Sequence, residues 1–67
     1  MHVSVVGLGR LGLAFAASVA NAGVQVSGID IDSQRVAAVN DQVAPSQEPK
    51  LSEYMTNAGN RLQATTD

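Results

Sequence analysis

Val3 to Val6 form a short apolar run, VSVV, that stops at Gly7. Its valine content predicts a β-strand, and its near-continuous apolarity predicts one buried on both faces. Residues 10–22 read as a helix, with Leu11, Phe15, Val19 and Ala22 on one stripe. Ala14, Ala16, Ala17, Ala20 and Ala22 are small, strong helix formers that permit close packing on a sheet, and Gly23 falls where a left-handed C-terminal residue belongs. A second strand spans Val24–Ile29 and ends at Asp30. Asp32 is placed to cap a second helix over residues 33–41, whose buried side is Val36, Ala37 and Val39. Residues 42–48, with Pro45, read as a loop. Glu48-Pro49 opens a third helix, with Leu51, Tyr54, Met55 and Ala58 on one face and Gly59 at its end. Arg61–Thr66, RLQATT, is a third strand. Phe15, Tyr54 and Met55 are expected in the core.

The order strand-helix-strand-helix-helix-strand predicts an α/β fold with a parallel sheet and right-handed crossovers. Between the first strand and the first helix lies Gly7-Leu8-Gly9-Arg10-Leu11-Gly12, which matches G-x-G-x-x-G in the context that motif requires. Gly7 allows the tight turn, Gly9 lets the backbone approach a pyrophosphate, and Gly12 lets the helix pack close to the strand. The start of the helix, with its unpaired amides and positive dipole end, faces the phosphates. Asp30, at the end of the second strand, is placed to accept hydrogen bonds from the adenosine ribose hydroxyls and to repel a 2′-phosphate, which favours NAD over NADP. The expected architecture is therefore a partial Rossmann fold, half of a doubly wound sheet with strand order 3-2-1. Half a sheet leaves the apolar first strand at an edge, so residues 1–67 read as the N-terminal part of an NAD-binding domain, with the rest of that domain expected outside the chain.

Arg10 could touch the pyrophosphate or be a solvated helix-start residue, and Arg35, on the first turn of the second helix, could flank the adenosine ribose. Asp32 is better explained as a helix cap than as a ligand, His2 as a strand-start residue, and Glu48 equally well as a cap or a group pointing toward a ligand.

Composition narrows the alternatives. The 67 residues contain no Cys, one His and two aromatics, so there is no disulfide, thiolate or imidazole metal site. The formal net charge is −2, and the four basic residues are scattered, which argues against nucleic acid or an anionic membrane as partner. No apolar run is long enough to span a bilayer, and the N-terminus lacks a basic leader segment; a cytoplasmic location is expected.

The stretch VSVVGLGRLGLAFAASVANAGVQVSGIDIDSQRVAAVN resembles the N-terminus of the UDP-glucose/GDP-mannose dehydrogenase family. Pro45-Ser46-Gln47-Glu48-Pro49-Lys50-Leu51 resembles that family's P-x-x-E-P-G-L segment, and Arg61–Asp67, RLQATTD, its R-L-x-A-T-T-D strand. Lys50 stands where the family has Gly, Gln47 where it has an aromatic, and Arg10 where Tyr is common. The resemblance implies the NAD portion of a nucleotide-sugar dehydrogenase of the UDP-glucose 6-dehydrogenase type, which oxidises a sugar C6 alcohol to a carboxylate in two NAD-dependent steps, as in polysaccharide biosynthesis. It implies a UDP- or GDP-linked sugar as substrate and a homo-oligomeric full-length protein. It carries over the Gly7–Gly12 turn, Asp30 at the ribose and Arg35 at the family's basic NAD-contacting position. The family's catalytic Cys, Lys and Asn have no counterpart in these residues, so no catalytic residue is expected here and the chain alone should be inactive. Separately, half a sheet with a bare edge in so short a chain should leave it marginally stable or aggregation-prone. Two other readings share the glycine turn: another NAD(P) dehydrogenase such as a beta-hydroxyacid dehydrogenase, and a regulatory nucleotide-binding module of a potassium-uptake system. The helix before RLQATTD argues against both.

Overall fold

A computed structural model of the chain describes residues 1–44 and 49–67. The expectations for Pro45, Ser46, Gln47 and Glu48 lie outside the described residues. Strand β1 (His2–Val6) leads into helix α1 (Arg10–Asn21), then β2 (Gln25–Ile29), α2 (Ser33–Asn40), α3 (Pro49–Ala58), a short 3-10 turn (Gly59–Arg61) and β3 (Leu62–Thr65). The three strands are parallel in the order β1-β2-β3, with Val5 opposite Gly28 and Gly28 opposite Ala64. This is the predicted element order and strand order.

The buried face of α1 differs from the predicted stripe. Leu13, Ala16, Ala17 and Ala20 are buried, while Leu11 is 85% and Phe15 57% exposed, Val19 is half-buried and Ala22 lies at the surface. The buried set is itself an i, i+3, i+4, i+7 stripe. This is the side of α1 that meets both the sheet and α3, where Leu13 and three alanines pack with Val26, Leu51, Met55 and Ala58 in one core. Phe15 is thus not a core residue, whereas Met55 is, with Tyr54 packed half-buried against it. On α2 only Val39 is fully buried, and Ala37 faces solvent. Strand β1 is not buried on both faces: its residues alternate between exposed and half-buried, because it is an edge strand paired only to β2.

The other edge is closed by a side chain. The Asn40 carboxamide donates from Nδ2 to the Ala64 carbonyl (3.0 Å) and accepts the Ala64 N–H at Oδ1 (2.8 Å). It thereby satisfies one outward-facing backbone pair of β3, as a neighbouring strand would, and blunts that edge. Arg61 belongs to the 3-10 turn and not to β3. Its Nε donates to the Ala20 carbonyl (2.9 Å) and its Nη2 to the Asn57 carbonyl (3.1 Å), tying together the C-terminal ends of α1 and α3, whose last carbonyls lack helical partners.

Both α1 and α2 end in the same hydrogen-bonded turn. After α1, the Gly23 N–H donates to Ala20 and the Val24 N–H to Val19; after α2, the Gln42 N–H donates to Val39 and the Val43 N–H to Ala38. The pivotal residue of this turn needs a positive φ, which is 103° at Gly23 and 62° at Gln42. Glutamine has a Cβ that opposes this conformation by about 1–2 kcal/mol. Gln42→Gly is therefore expected to raise stability by about 1 kcal/mol, net of the extra freedom glycine gains in the unfolded chain. The denaturant midpoint should rise with an unchanged slope; a fall would show that the Gln42 side chain contributes more than the strain it carries.

A candidate dinucleotide site at the strand ends

Because the strands are parallel, the segments following β1, β2 and β3 emerge at one edge of the sheet, where open α/β folds bind ligands. The glycine turn begins there. The Gly7 N–H continues the β1–β2 pairing by donating to the Ile29 carbonyl (2.7 Å), and φ of 91° at Gly7 then swings the chain into α1. Such a φ is open to glycine at no steric cost. A Cβ on Gly12 would fall on the Gly7 carbonyl oxygen, so the first turn of α1 rests directly on the loop. Gly9 is different: a Cβ there meets nothing within 4 Å. Among the described residues nothing sterically requires a glycine at position 9, and the backbone there is open. Gly9 is also the N-cap of α1 and supplies no side-chain cap. The helix geometry leaves the amides of the first turn without an acceptor four residues back, which makes this end an anion site.

Asp30 completes the cluster. Its Oδ2 accepts the Leu8 N–H and its Oδ1 the Asp32 N–H, each at 2.8 Å, and its side chain is only 8% exposed. The Arg35 guanidinium lies 3.5 Å from Oδ2 and reaches Asp32 Oδ2 at 4.0 Å. The structure thus brings the glycine turn, Asp30 and Arg35 into one place. Arg10 opens α1 at the surface, and Leu11 projects outward beside it. Leu8 takes part through its backbone alone, because its side chain is buried at 2% exposure. Asp32 is the N-cap of α2, accepting the amides of Gln34 (2.9 Å) and Arg35 (3.3 Å). His2 lies at the opposite end of the sheet, where Nε2 is 2.7 Å from Ser27 Oγ. No sequence pattern announces the bond from the turn's Leu8 to Asp30, whereas the bond from Asp32, two residues on, is the local turn that an aspartate side chain commonly makes. Among the described residues no cluster of His, Asp and Glu could hold a metal ion.

The bound amides of Asp32 and Leu8 hold the Asp30 carboxyl below the usual carboxylate range; Arg35 adds to this, and burial opposes it. A carboxyl whose folded pKa is depressed contributes stability above its unfolded pKa, about 4, and loses it as pH falls through the folded value. The stability difference between the wild type and Asp30→Asn is therefore expected to be constant near neutrality and to shrink below about pH 4. Urea unfolding between pH 6 and 2 checks this, and a difference that grows on acidification would contradict it.

A glycine turn on a parallel sheet, an uncapped helix start and a carboxylate at the end of the second strand define a dinucleotide-binding protein of the Rossmann class. Within that class, residues 1–67 match the NAD binding domain of the UDP-glucose/GDP-mannose dehydrogenase family, and the chain belongs to that family. It is 46% identical over 68 residues to a UDP-glucose 6-dehydrogenase of Haloferax volcanii, and 35% identical over 69 residues to a GDP-mannose 6-dehydrogenase of Pseudomonas syringae pv. tomato. Both alignments cover 100% of this chain and 16% of the relative. The fold superposes on a UDP-D-ManNAc dehydrogenase of Pyrococcus horikoshii with a TM-score of 0.87 and 32% identity, covering 100% of this chain and 16% of that one. The UDP-N-acetyl-mannosamine dehydrogenase of S. aureus gives the same TM-score of 0.87 at 31% identity over 98% of this chain. The chain spans about a sixth of the length of these relatives. Helix α3, between α2 and β3, stands where the potassium-uptake reading expects a short connection, and that reading is not favoured.

Proposed function

We propose that residues 1–67 are the amino-terminal part of the cofactor domain of a nucleotide-sugar dehydrogenase, and that their share of the reaction is to hold and orient NAD. NAD supplies the hydride acceptor for oxidation of a UDP- or GDP-linked sugar. The observation that carries this reading is the pairing of an open backbone at Gly9 with a buried, ionised Asp30 clamped to the same turn. In this reading the Gly9 backbone and the first amides of α1 receive the pyrophosphate, with Arg10 alongside. Asp30 keeps lone pairs beyond its two amide bonds and accepts from the adenosine ribose hydroxyls, and Arg35 flanks the same sugar. The catalytic groups and the sugar pocket belong to segments beyond these residues. A soluble cytoplasmic enzyme acting as a homo-oligomer fits the same picture.

Calorimetry on the full-length protein tests the cofactor choice. NAD is expected to bind at least about tenfold more tightly than NADP, a difference of about 1.4 kcal/mol, because a 2′-phosphate would meet a carboxylate already ionised. Equal affinities would remove Asp30 from the role of selector.

A further inference from the structure

Gly28, the penultimate residue of β2, lies directly beneath Leu8. A Cβ on Gly28 would stand 2.8 Å from both Leu8 Cδ atoms and 3.3 Å from its Cγ. The terminal methyls of an exposed leucine would simply turn away, but Leu8 is among the largest fully buried side chains of the protein. Close-packed interiors pass such a clash on to the backbone that carries the side chain. That backbone is the glycine turn.

Gly28 lies in β2 and Asp30 is the first residue after it; both are buried, with Ile29 half-buried between them. Leu8 spans the pair: its side chain rests on Gly28, and its N–H donates to Asp30 Oδ2 at 2.8 Å. The depth at which Leu8 seats therefore sets both the height of the turn above the sheet and the placement of the Asp30 carboxylate. We propose that Gly28 is a positioning residue for the cofactor site, its missing side chain seating the glycine turn so that Asp30 is aligned for the adenosine ribose. This rests on the NAD reading above and adds a residue that touches no part of the cofactor.

The test uses the full-length protein, with dissociation constants for NAD and NADP measured by calorimetry and stability followed in parallel. In Gly28→Ala the NAD affinity of the folded protein falls about tenfold and the preference for NAD over NADP narrows. Removing the bulk above it, in Leu8→Ala/Gly28→Ala, restores much of the affinity and of the preference. A lowered melting temperature with unchanged NAD affinity and unchanged preference overturns the proposal, since Gly28 would then act on stability alone. Failure of the double variant to recover either quantity overturns it as well. If Gly28→Ala does not fold, Leu8→Ala alone decides: it removes the seat while leaving Gly28, and an unchanged NAD/NADP preference refutes the seating argument. A wild-type protein that binds neither dinucleotide overturns the NAD reading itself, which separates the two failures.

Discussion

Gly9→Val is expected to weaken NAD binding at least about 100-fold, some 2.7 kcal/mol, without unfolding the protein. The argument rests on the asymmetry between what the protein and the ligand require at this position. The described residues leave the space over Gly9 empty, and the backbone there, at φ −65° and ψ −173°, suits any residue. Valine is a poorer N-cap than glycine, which costs α1 about 0.5–1 kcal/mol. The same valine fills the volume through which a pyrophosphate reaches the amides at the start of α1. Circular dichroism should show the wild-type helical content, while titration with NAD shows little or no binding. Retained affinity would mean that the pyrophosphate does not pass over Gly9 and that the turn serves folding alone.

Gly12→Ala should fail in the opposite way. Its new methyl would coincide with the Gly7 carbonyl oxygen and lie 3.0 Å from the Gly7 carbonyl carbon. Both are backbone atoms of the turn and cannot rotate aside. The first turn of α1 must lift from the loop, and this cost falls at the upper end of the range for overpacking, about 3 kcal/mol. That is a large fraction of the 5–15 kcal/mol that holds a typical domain together. Chemical denaturation of the full-length protein measures it, and a loss below about 0.5 kcal/mol would show that the helix start can move freely. NAD affinity should fall too, but only because the amides and the turn part company. Comparison of the two variants separates the glycine that faces the ligand from the glycine that faces the protein.

How much of this was legible in the residues follows from the range of the forces involved. The elements were legible because their causes are local: Val-rich runs stopped by Gly7 and Asp30, Asp32 as a cap, Pro49 as a helix opener, and the glycine motif between a strand and a helix. Parallel pairing and strand order followed from the alternation of strands and helices. The cluster of the glycine turn with Asp30 and Arg35 was legible in outline, since the motif fixes where each lies relative to the strand ends.

The tertiary structure decided what depends on distance between segments. Hydrophobicity ranked Leu11 and Phe15 as the inner face of α1, but the sheet and α3 lie on the side that carries Leu13, Ala16, Ala17 and Ala20, and Leu11 and Phe15 point outward. The edge position of β1 exposed residues whose apolarity pointed to burial. The Asn40 clamp on Ala64 and the Arg61 tie between α1 and α3 join residues 24 and 41 positions apart, and no local pattern announces them. The same holds for the site. Sequence alone singled out Asp30 as a candidate; only the folded chain showed that Asp30 is held by the Leu8 amide and that Leu8 is seated on Gly28. Local propensities determined which elements form, while packing at short range between distant segments determined which side chains each element could bury.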